Sequence, residues 1–296
     1  MGERWVVTGA SGQLGGHVLR GLCDASASGA NEVLALAGRG ALSVSDVTAQ
    51  RIDLGDVEAV GKAVSDFAPT HVLHIGAMTA VADAHKDPAR AERINVAATQ
   101  RIVEAAARTN ARLVFTSTDM VFDGESAPYR EDDEARPLSQ YGKTKLAAEA
   151  VVRNYDQGLV VRLPLMYGFA CTDRPTTFGN QVAALREGRP LKLFTDEFRT
   201  PVWLADAVAA LLLLARSAEC GVMHVAGPER LSRYELVERI ARLLGIEAPQ
   251  ITPTSRLDIA AAEPRPADLS LDGSRFASMF PDTAPGPIRP EVVAVN

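Results

Sequence analysis

Trp5-Val6-Val7-Thr8-Gly9-Ala10-Ser11-Gly12-Gln13-Leu14-Gly15 is a short apolar run that turns, through three glycines, into an amphipathic stretch over residues 12–23. The run reads as a strand and the stretch after it as a helix. Glycines at this spacing allow a tight turn, close approach of the backbone to a pyrophosphate, and close packing of helix on strand. The start of the helix then offers unpaired N–H groups to an anion. A glycine triplet alone is a weak signal; the strand before it and the helix after it supply the context that a dinucleotide site requires. The competing reading is a structural glycine-rich turn. On the dinucleotide reading, Gly9, Ser11, Gly12, Gln13 and Leu14 cradle the pyrophosphate, with Gly15 closing the turn.

Outward from the turn, apolar runs alternate with amphipathic stretches. Strands are expected at 33–37, 71–75, 113–117 and 159–163, and helices at 57–67, at 88–109 with Pro88 in the first turn, and around Tyr141. Alternating strands and helices imply βαβ units and a parallel sheet covered on both faces. The fold class is therefore α/β: a Rossmann-type doubly wound parallel sheet over residues 1–165, with a smaller substrate-binding lobe over 166–296 interleaved with the end of the sheet. In that lobe, helices are expected at 179–187, 204–216 and 232–244, the last with a Ser232/Glu235 capping box, and a strand at 222–225. The proline-rich stretches 247–266 and beyond Pro281 read as loops.

A chain of 296 residues exceeds one ordinary core, and a net charge of −6 without a run of five basic residues gives no sign of nucleic-acid binding. Cys23, Cys171 and Cys220 are far apart, form no metal-ligand spacing, and read as inert thiols in a reduced, cytoplasmic setting. The chain opens directly into a strand, so no signal peptide is expected. Its most apolar stretch, 202–215, is interrupted by Asp206 and is too short to span a bilayer.

Two further features carry chemistry. At the end of the second strand NAD sites usually place a carboxylate for the ribose hydroxyls. Here the sequence is Ala37-Gly38-Arg39-Gly40, and Arg39 suits a 2′-phosphate. NADP(H) is accordingly favoured over NAD(H). Asp53 and Leu54, before the next helix, are candidates for the adenine edge. Tyr141 and Lys145, four apart in Ser139-Gln-Tyr-Gly-Lys-Thr-Lys, share one helix face. A nearby ammonium lowers a phenol's pKa, and a tyrosine so tuned can exchange a proton with a carbonyl oxygen. The bland reading is a surface tyrosine beside a solvated lysine.

Taken together, the glycine turn, Asp53, Asn95, Ser117-Thr118, Tyr141-x-x-x-Lys145 and Arg162-Leu-Pro-Leu-Met-Tyr-Gly168 resemble the extended short-chain dehydrogenase/reductase family over nearly the whole chain. Within it, Thr79-Ala-Val, Ser117-Thr-Asp-Met-Val-Phe-Asp-Gly124 and Arg265-Pro-Ala-Asp-Leu-Ser-Leu-Asp272 are most similar to the dTDP-4-dehydrorhamnose reductase group. The resemblance implies a nicotinamide-dependent reductase of a 4-keto-6-deoxy sugar nucleotide. In it Thr118 would bond the substrate carbonyl, Tyr141 would be the general acid, and Lys145 would hold the nicotinamide ribose. Asn95 would brace the site; Gly76, Ala77 and Pro164 would flank the cofactor. Met78, Asp119 and Met120 would face the substrate, with Arg199, Trp203 and Arg265 candidates for its nucleotide diphosphate. A homodimer is a family-level expectation.

This sequence departs from the group at His74 (usually asparagine), at Met78 and Met120 (commonly tyrosine), and at Ala82 (often aspartate). His74 reads as a satisfied core histidine or, alternatively, as part of the cofactor cleft. The two methionines remove hydroxyls and leave an adaptable apolar surface. Two other functions remain open: a sugar-nucleotide epimerase, and a non-catalytic NADP-binding regulatory subunit. A 4,6-dehydratase is disfavoured, because Met120 stands where those enzymes carry a proton-shuttling glutamate.

Overall fold

The computed structural model describes residues 2–25, 31–42, 44–45, 47–171 and 175–294. Its first half runs β1 (Arg4–Thr8), α1 (Gln13–Ala25), β2 (Glu32–Ala37), β3 (Thr48–Arg51), α2 (Val57–Phe67), β4 (His71–His74), α3 (Val81–Lys86), α4 (Pro88–Glu92), α5 (Ala98–Ala107), β5 (Arg112–Thr118), α6 (Gln140–Arg153) and β6 (Gly158–Leu163). These six strands and Gly221–His224 form one parallel sheet in the order Gly221–His224, β6, β5, β4, β1, β2, β3. The strand order reverses between β1 and β4, the place where open α/β sheets bind ligands.

Alternation along β1 assigns the faces. Trp5 and Val7 point to a core with Leu14, Val18, Leu19 and Leu22 of α1 and with the apolar α8 (Leu204–Ala215). Val6 points the other way, to Val60 and Val64 of α2, Ile102 of α5 and Val152 of α6. Each such aliphatic side chain contributes about 1.5–3 kcal/mol on full burial. Both faces are covered, so β2 can read as an unbroken apolar run with only its first residue exposed.

The second half supplies α7 (Thr177–Arg186), α8 and α9 (Arg233–Leu243), the last with the expected Ser232–Glu235 capping box. Tyr167, Phe178 and Val182 pack there against Leu236, Val237 and Ile240.

Several expectations are corrected. The helix over 88–109 is interrupted by a π-helical turn, Arg93–Ala97. The stretch 247–266 is not all loop: Ile251–Thr254 pairs in parallel with Leu191–Phe194. Beyond Pro281 lie two short 3₁₀ turns, Pro281–Thr283 and Pro290–Val293. The edge strand β3 has four exposed residues, so no apolar pattern announced it. Cys220, read as an inert thiol, is exposed, its thiol donating to the Asp156 carbonyl at 3.1 Å.

Candidate active site

The glycine turn is held by backbone geometry. Gly9 sits at φ +67°, and a Cβ there would lie 2.6 Å from Gly76 Cα, so two glycine backbones meet without side chains between them. Gly12 N–H donates to the Gly9 carbonyl at 2.8 Å, and Gly16 N–H to the Gly12 carbonyl at 2.9 Å, turning the chain into α1. Ser11 and Leu14 are buried in this turn, and Gln13 donates to the Gly168 carbonyl at 3.1 Å.

Beneath the turn lies a satisfied polar chain. Thr8 Oγ1 accepts from the N–H groups of Ile75 (3.1 Å) and Gly76 (3.0 Å) and meets His74 Nδ1 at 2.7 Å. His74 Nε2 meets Thr99 Oγ1 at 2.8 Å, and that hydroxyl donates to the Asn95 carbonyl at 2.7 Å. Because the Thr99 proton is committed, Nε2 carries the hydrogen and Nδ1 accepts from Thr8. Burial, reinforced by the charge of Lys145, pushes His74 down to about 3, so it stays neutral. Of its two readings the core histidine is the one observed: it fixes the loop carrying Gly76 and Ala77 from below.

Asn95 lies in the π-helical turn, a distortion frequent at functional sites. Its Oδ1 accepts from Met78 N–H at 2.8 Å. Its Nδ2 donates to the Met78 carbonyl (3.2 Å) and to Thr144 Oγ1 (2.9 Å), which donates to the Tyr141 carbonyl (2.9 Å). One side chain thereby ties the loop after β4 to the helix that bears Tyr141.

That helix, α6, is capped by Ser139, whose hydroxyl accepts from Gly142 N–H at 3.1 Å. Tyr141, in its first turn, is buried against Met78, Val81, Ala84 and Met120. Thr118, at the end of β5, is close enough to the phenol to oppose its upward shift, and its hydroxyl donates to Asp119 Oδ1 at 3.1 Å. The structure thus gathers Thr118, Tyr141, Met78 and Met120 around one point.

Lys145 corrects the sequence expectation. Its ammonium donates to the Thr116 carbonyl at 2.6 Å and lies 3.9 Å from the Phe115 ring centroid. Burial pushes it down to about 7, opposed by the charge of Glu149. Tyr141 is pushed up, first by burial and then by the Asp119 carboxylate, with the Thr118 hydroxyl opposing; the lysine is not among its causes. The phenol is therefore held in its neutral, protonated form.

Arg39 and Asp53 line a cavity of about 510 Å³ at the far end of the turn, and Leu54 packs close to Gly76. Arg39 is exposed, and its guanidinium has no partner among the described residues. The glycine crossing and this exposed cation fit a dinucleotide running from pyrophosphate to adenosine. Pro164 is buried directly after β6.

The diphosphate candidates are placed otherwise than expected. Arg199 is buried, its Nε 3.1 Å from Asp119 Oδ2 and its Nη2 3.3 Å from Glu197, so its charge is already compensated. Trp203 packs beneath the Arg289 guanidinium, 4.6 Å from its ring centroid. Arg265 lies 5.1 Å from the Phe194 ring centroid with its Nε buried and unpartnered.

Sequence reasoning missed two partners. Glu149 receives Arg162 through two hydrogen bonds (3.0 and 2.8 Å) and Ser117 Oγ at 2.5 Å behind Lys145. Glu263 Oε1 accepts Gln140 N–H at 2.7 Å, at the start of the Tyr141 helix. The Lys145–Glu149 spacing signalled the first; nothing local signals the second, 123 residues away in sequence.

A glycine cradle at the switch point and a Thr–Tyr–Lys cluster at the carboxyl ends of the strands define a nicotinamide-dependent oxidoreductase of the extended short-chain dehydrogenase/reductase class. More particularly, the chain belongs to the family described as RmlD substrate binding domain, whose model matches residues 3–292. It is 32% identical to the dTDP-4-dehydrorhamnose reductase of Streptomyces griseus over 92% of this chain and 86% of that one. It is 31% identical to methionine adenosyltransferase 2 subunit beta of Xenopus laevis over 77% and 70%. Among solved structures it resembles a hypothetical dTDP-4-dehydrorhamnose reductase from Sulfolobus tokodaii, with TM-score 0.82, 28% identity and coverage of 99% and 100%. It also resembles MoeE5 in complex with UDP-glucose and NAD, with TM-score 0.78, 26% identity and coverage of 98% and 95%.

Proposed function

We propose that the protein is an NADP-dependent reductase of a ketone on a nucleotide sugar, a 4-keto-6-deoxy sugar, with Tyr141 as general acid. The observation that carries this is the buried Tyr141 phenol beside Thr118, on a helix braced through Thr144 and Asn95. The bound nicotinamide would supply the hydride. Thr118 and Tyr141 would orient the carbonyl oxygen, and Tyr141 would give it a proton as negative charge develops there. Burial keeps that phenol protonated until needed. Lys145, held against the Thr116 carbonyl, would approach the nicotinamide ribose and offer a cation beside the reacting oxygen. Gly9, Ser11, Gly12, Gln13 and Leu14 would take the pyrophosphate, and Arg39 the 2′-phosphate, which is the basis for NADP over NAD. Met78 and Met120 would form an apolar floor for the sugar, with residues 166–296 as the substrate lobe of a cytoplasmic enzyme.

The test is absorbance decay of NADPH against dTDP-4-keto-6-deoxy sugars. Oxidation supports the reading. Tight NADPH binding without oxidation of any keto-sugar nucleotide overturns it. That result would favour the second reading, a regulatory NADP-binding subunit, which the kinship with methionine adenosyltransferase 2 subunit beta supports.

A further inference from the structure

The cavity at the adenosine end is walled by Arg39, Asp53, Gly55, Asp56, Arg90 and Arg93. Three guanidiniums therefore face two carboxylates. Arg93 is held to the backbone: its Nε donates to the Gly55 carbonyl at 2.6 Å. The carboxylates serve the backbone. Asp53 Oδ1 accepts from Gly55 N–H (2.9 Å), and Asp56 Oδ1 accepts from Ala59 N–H (3.1 Å) as the N-cap of α2. Among the described residues the Arg90 side chain, on α4, meets the other oxygen of Asp53, at 3.4 Å, and both side chains are more than half exposed (53% and 56%). A pair so long and so exposed holds its partners weakly.

We infer that Arg90 is a second specificity-determining residue for the adenosine 2′-phosphate, reaching it from α4 while Arg39 reaches it from the end of β2. This rests on the NADP reading above and extends it to a residue that the glycine-turn pattern does not contain. A phosphate monoester brings up to two charges and three acceptor oxygens, more than a single fork can pair. Two arginines from different elements satisfy it with charge-assisted bonds. Arg90 leaves little behind on turning to the phosphate, because Asp53 keeps its backbone hydrogen bond to Gly55. NAD, with a hydroxyl at that carbon, gives Arg90 no reason to leave Asp53.

The test is fluorescence titration of NADPH and NADH with the full chain and its Arg39→Ala, Arg90→Ala, Arg90→Lys and doubly substituted variants, with displacement by 2′,5′-ADP and 5′-ADP. Thermal melting confirms that each variant is folded. Arg90→Ala is expected to weaken NADPH and 2′,5′-ADP by roughly five- to twentyfold, the scale of one exposed charge-assisted bond. NADH and 5′-ADP should be unchanged, Arg90→Lys should recover part of the loss, and the double variant should bind the two dinucleotides alike. Equal losses for both dinucleotides, or none for either, overturn the role of Arg90. If Arg39→Ala alone erases the preference, the NADP reading stands and Arg90 is excluded. If the unsubstituted chain shows no preference for NADPH, both fail.

Discussion

The cofactor half and the substrate half of the cleft differ in how their polar atoms are partnered. Around the glycine turn, Thr8, His74, Thr99 and Asn95 form an unbroken chain of hydrogen bonds, and the glycine backbones meet in direct contact. Toward the C-terminal lobe the pattern reverses. Of the buried side-chain polar atoms without a hydrogen-bond partner among the described residues, Arg256 Nε, Glu263 Oε2 and Arg265 Nε lie on one loop, and Asp119 Oδ2 lies next to Thr118. That last atom is 3.1 Å from Arg199 Nε, an ion pair by distance though not aligned as a hydrogen bond. Buried unpaired groups are costly. The floor of the glycine turn is thus finished by hydrogen bonds, whereas buried polar atoms beside Thr118 and in the 256–265 loop are less completely partnered among the described residues.

The comparison can be broken at several points. Tyr141→Phe leaves the cofactor floor untouched and should lower turnover of a keto-sugar nucleotide by about 10²–10⁴-fold, the range of general acid–base catalysis. NADPH titration of the same variant should match the unsubstituted protein; a wild-type rate would remove Tyr141 from the mechanism. Arg199→Met strips Asp119 of its ion-pair partner and leaves Glu197 with Arg233 alone in a buried network, and chemical denaturation should show a loss of about 3–5 kcal/mol. An unchanged midpoint would mean that the pair is solvated.

Gly9→Ala acts on the finished side. It adds a methyl 2.6 Å from Gly76 Cα at φ +67°, and strain on the order of 1–3 kcal/mol should appear in the melt, together with weaker NADPH binding. Normal affinity would argue against direct backbone contact with the cofactor.

Lys145 allows a pH test whose sign is fixed. Its folded pKa, about 7, lies below the ordinary 10.5. Between those values the unfolded chain holds a proton that the folded chain lacks, so stability from this group rises with pH across the window. Lys145→Met removes that dependence. Its melting temperature should gain on the unsubstituted protein as pH falls from about 10 to about 7, then run parallel below. A constant gap would place the lysine in solvent. Smallest of all, Lys62→Ala breaks an exposed i,i+4 pair with Asp66 (2.6 Å) far from both halves. It should shift stability by no more than about 0.5 kcal/mol.

Legibility followed the same divide. The cofactor half was readable because its signals are local: a glycine turn between a strand and a helix, an arginine where a carboxylate is usual, a tyrosine and a lysine one helical turn apart. Where those local signals concerned charge, they misled. Lys145 shares a helix with Tyr141 but is drawn to the Thr116 carbonyl and the Phe115 ring, both from β5, and burial outweighs proximity in setting both pKa values. In the C-terminal lobe the strands are two to four residues long and find their partners across long loops, as Ile251–Thr254 does with Leu191–Phe194, so strand periodicity had little to register.

By itself, then, the sequence determined a doubly wound α/β sheet, a glycine turn between a strand and a helix, and a tyrosine and a lysine one helical turn apart, since each depends on neighbours within a few positions along the chain. Tertiary structure decided the rest. It seated His74 as a neutral brace, closed Arg199 onto Asp119, brought Glu263 to the start of the Tyr141 helix, and set Arg90 in the same cavity as Arg39. The physical reason is that burial and charge pairing depend on which distant segments meet, and spacing along the chain does not record that.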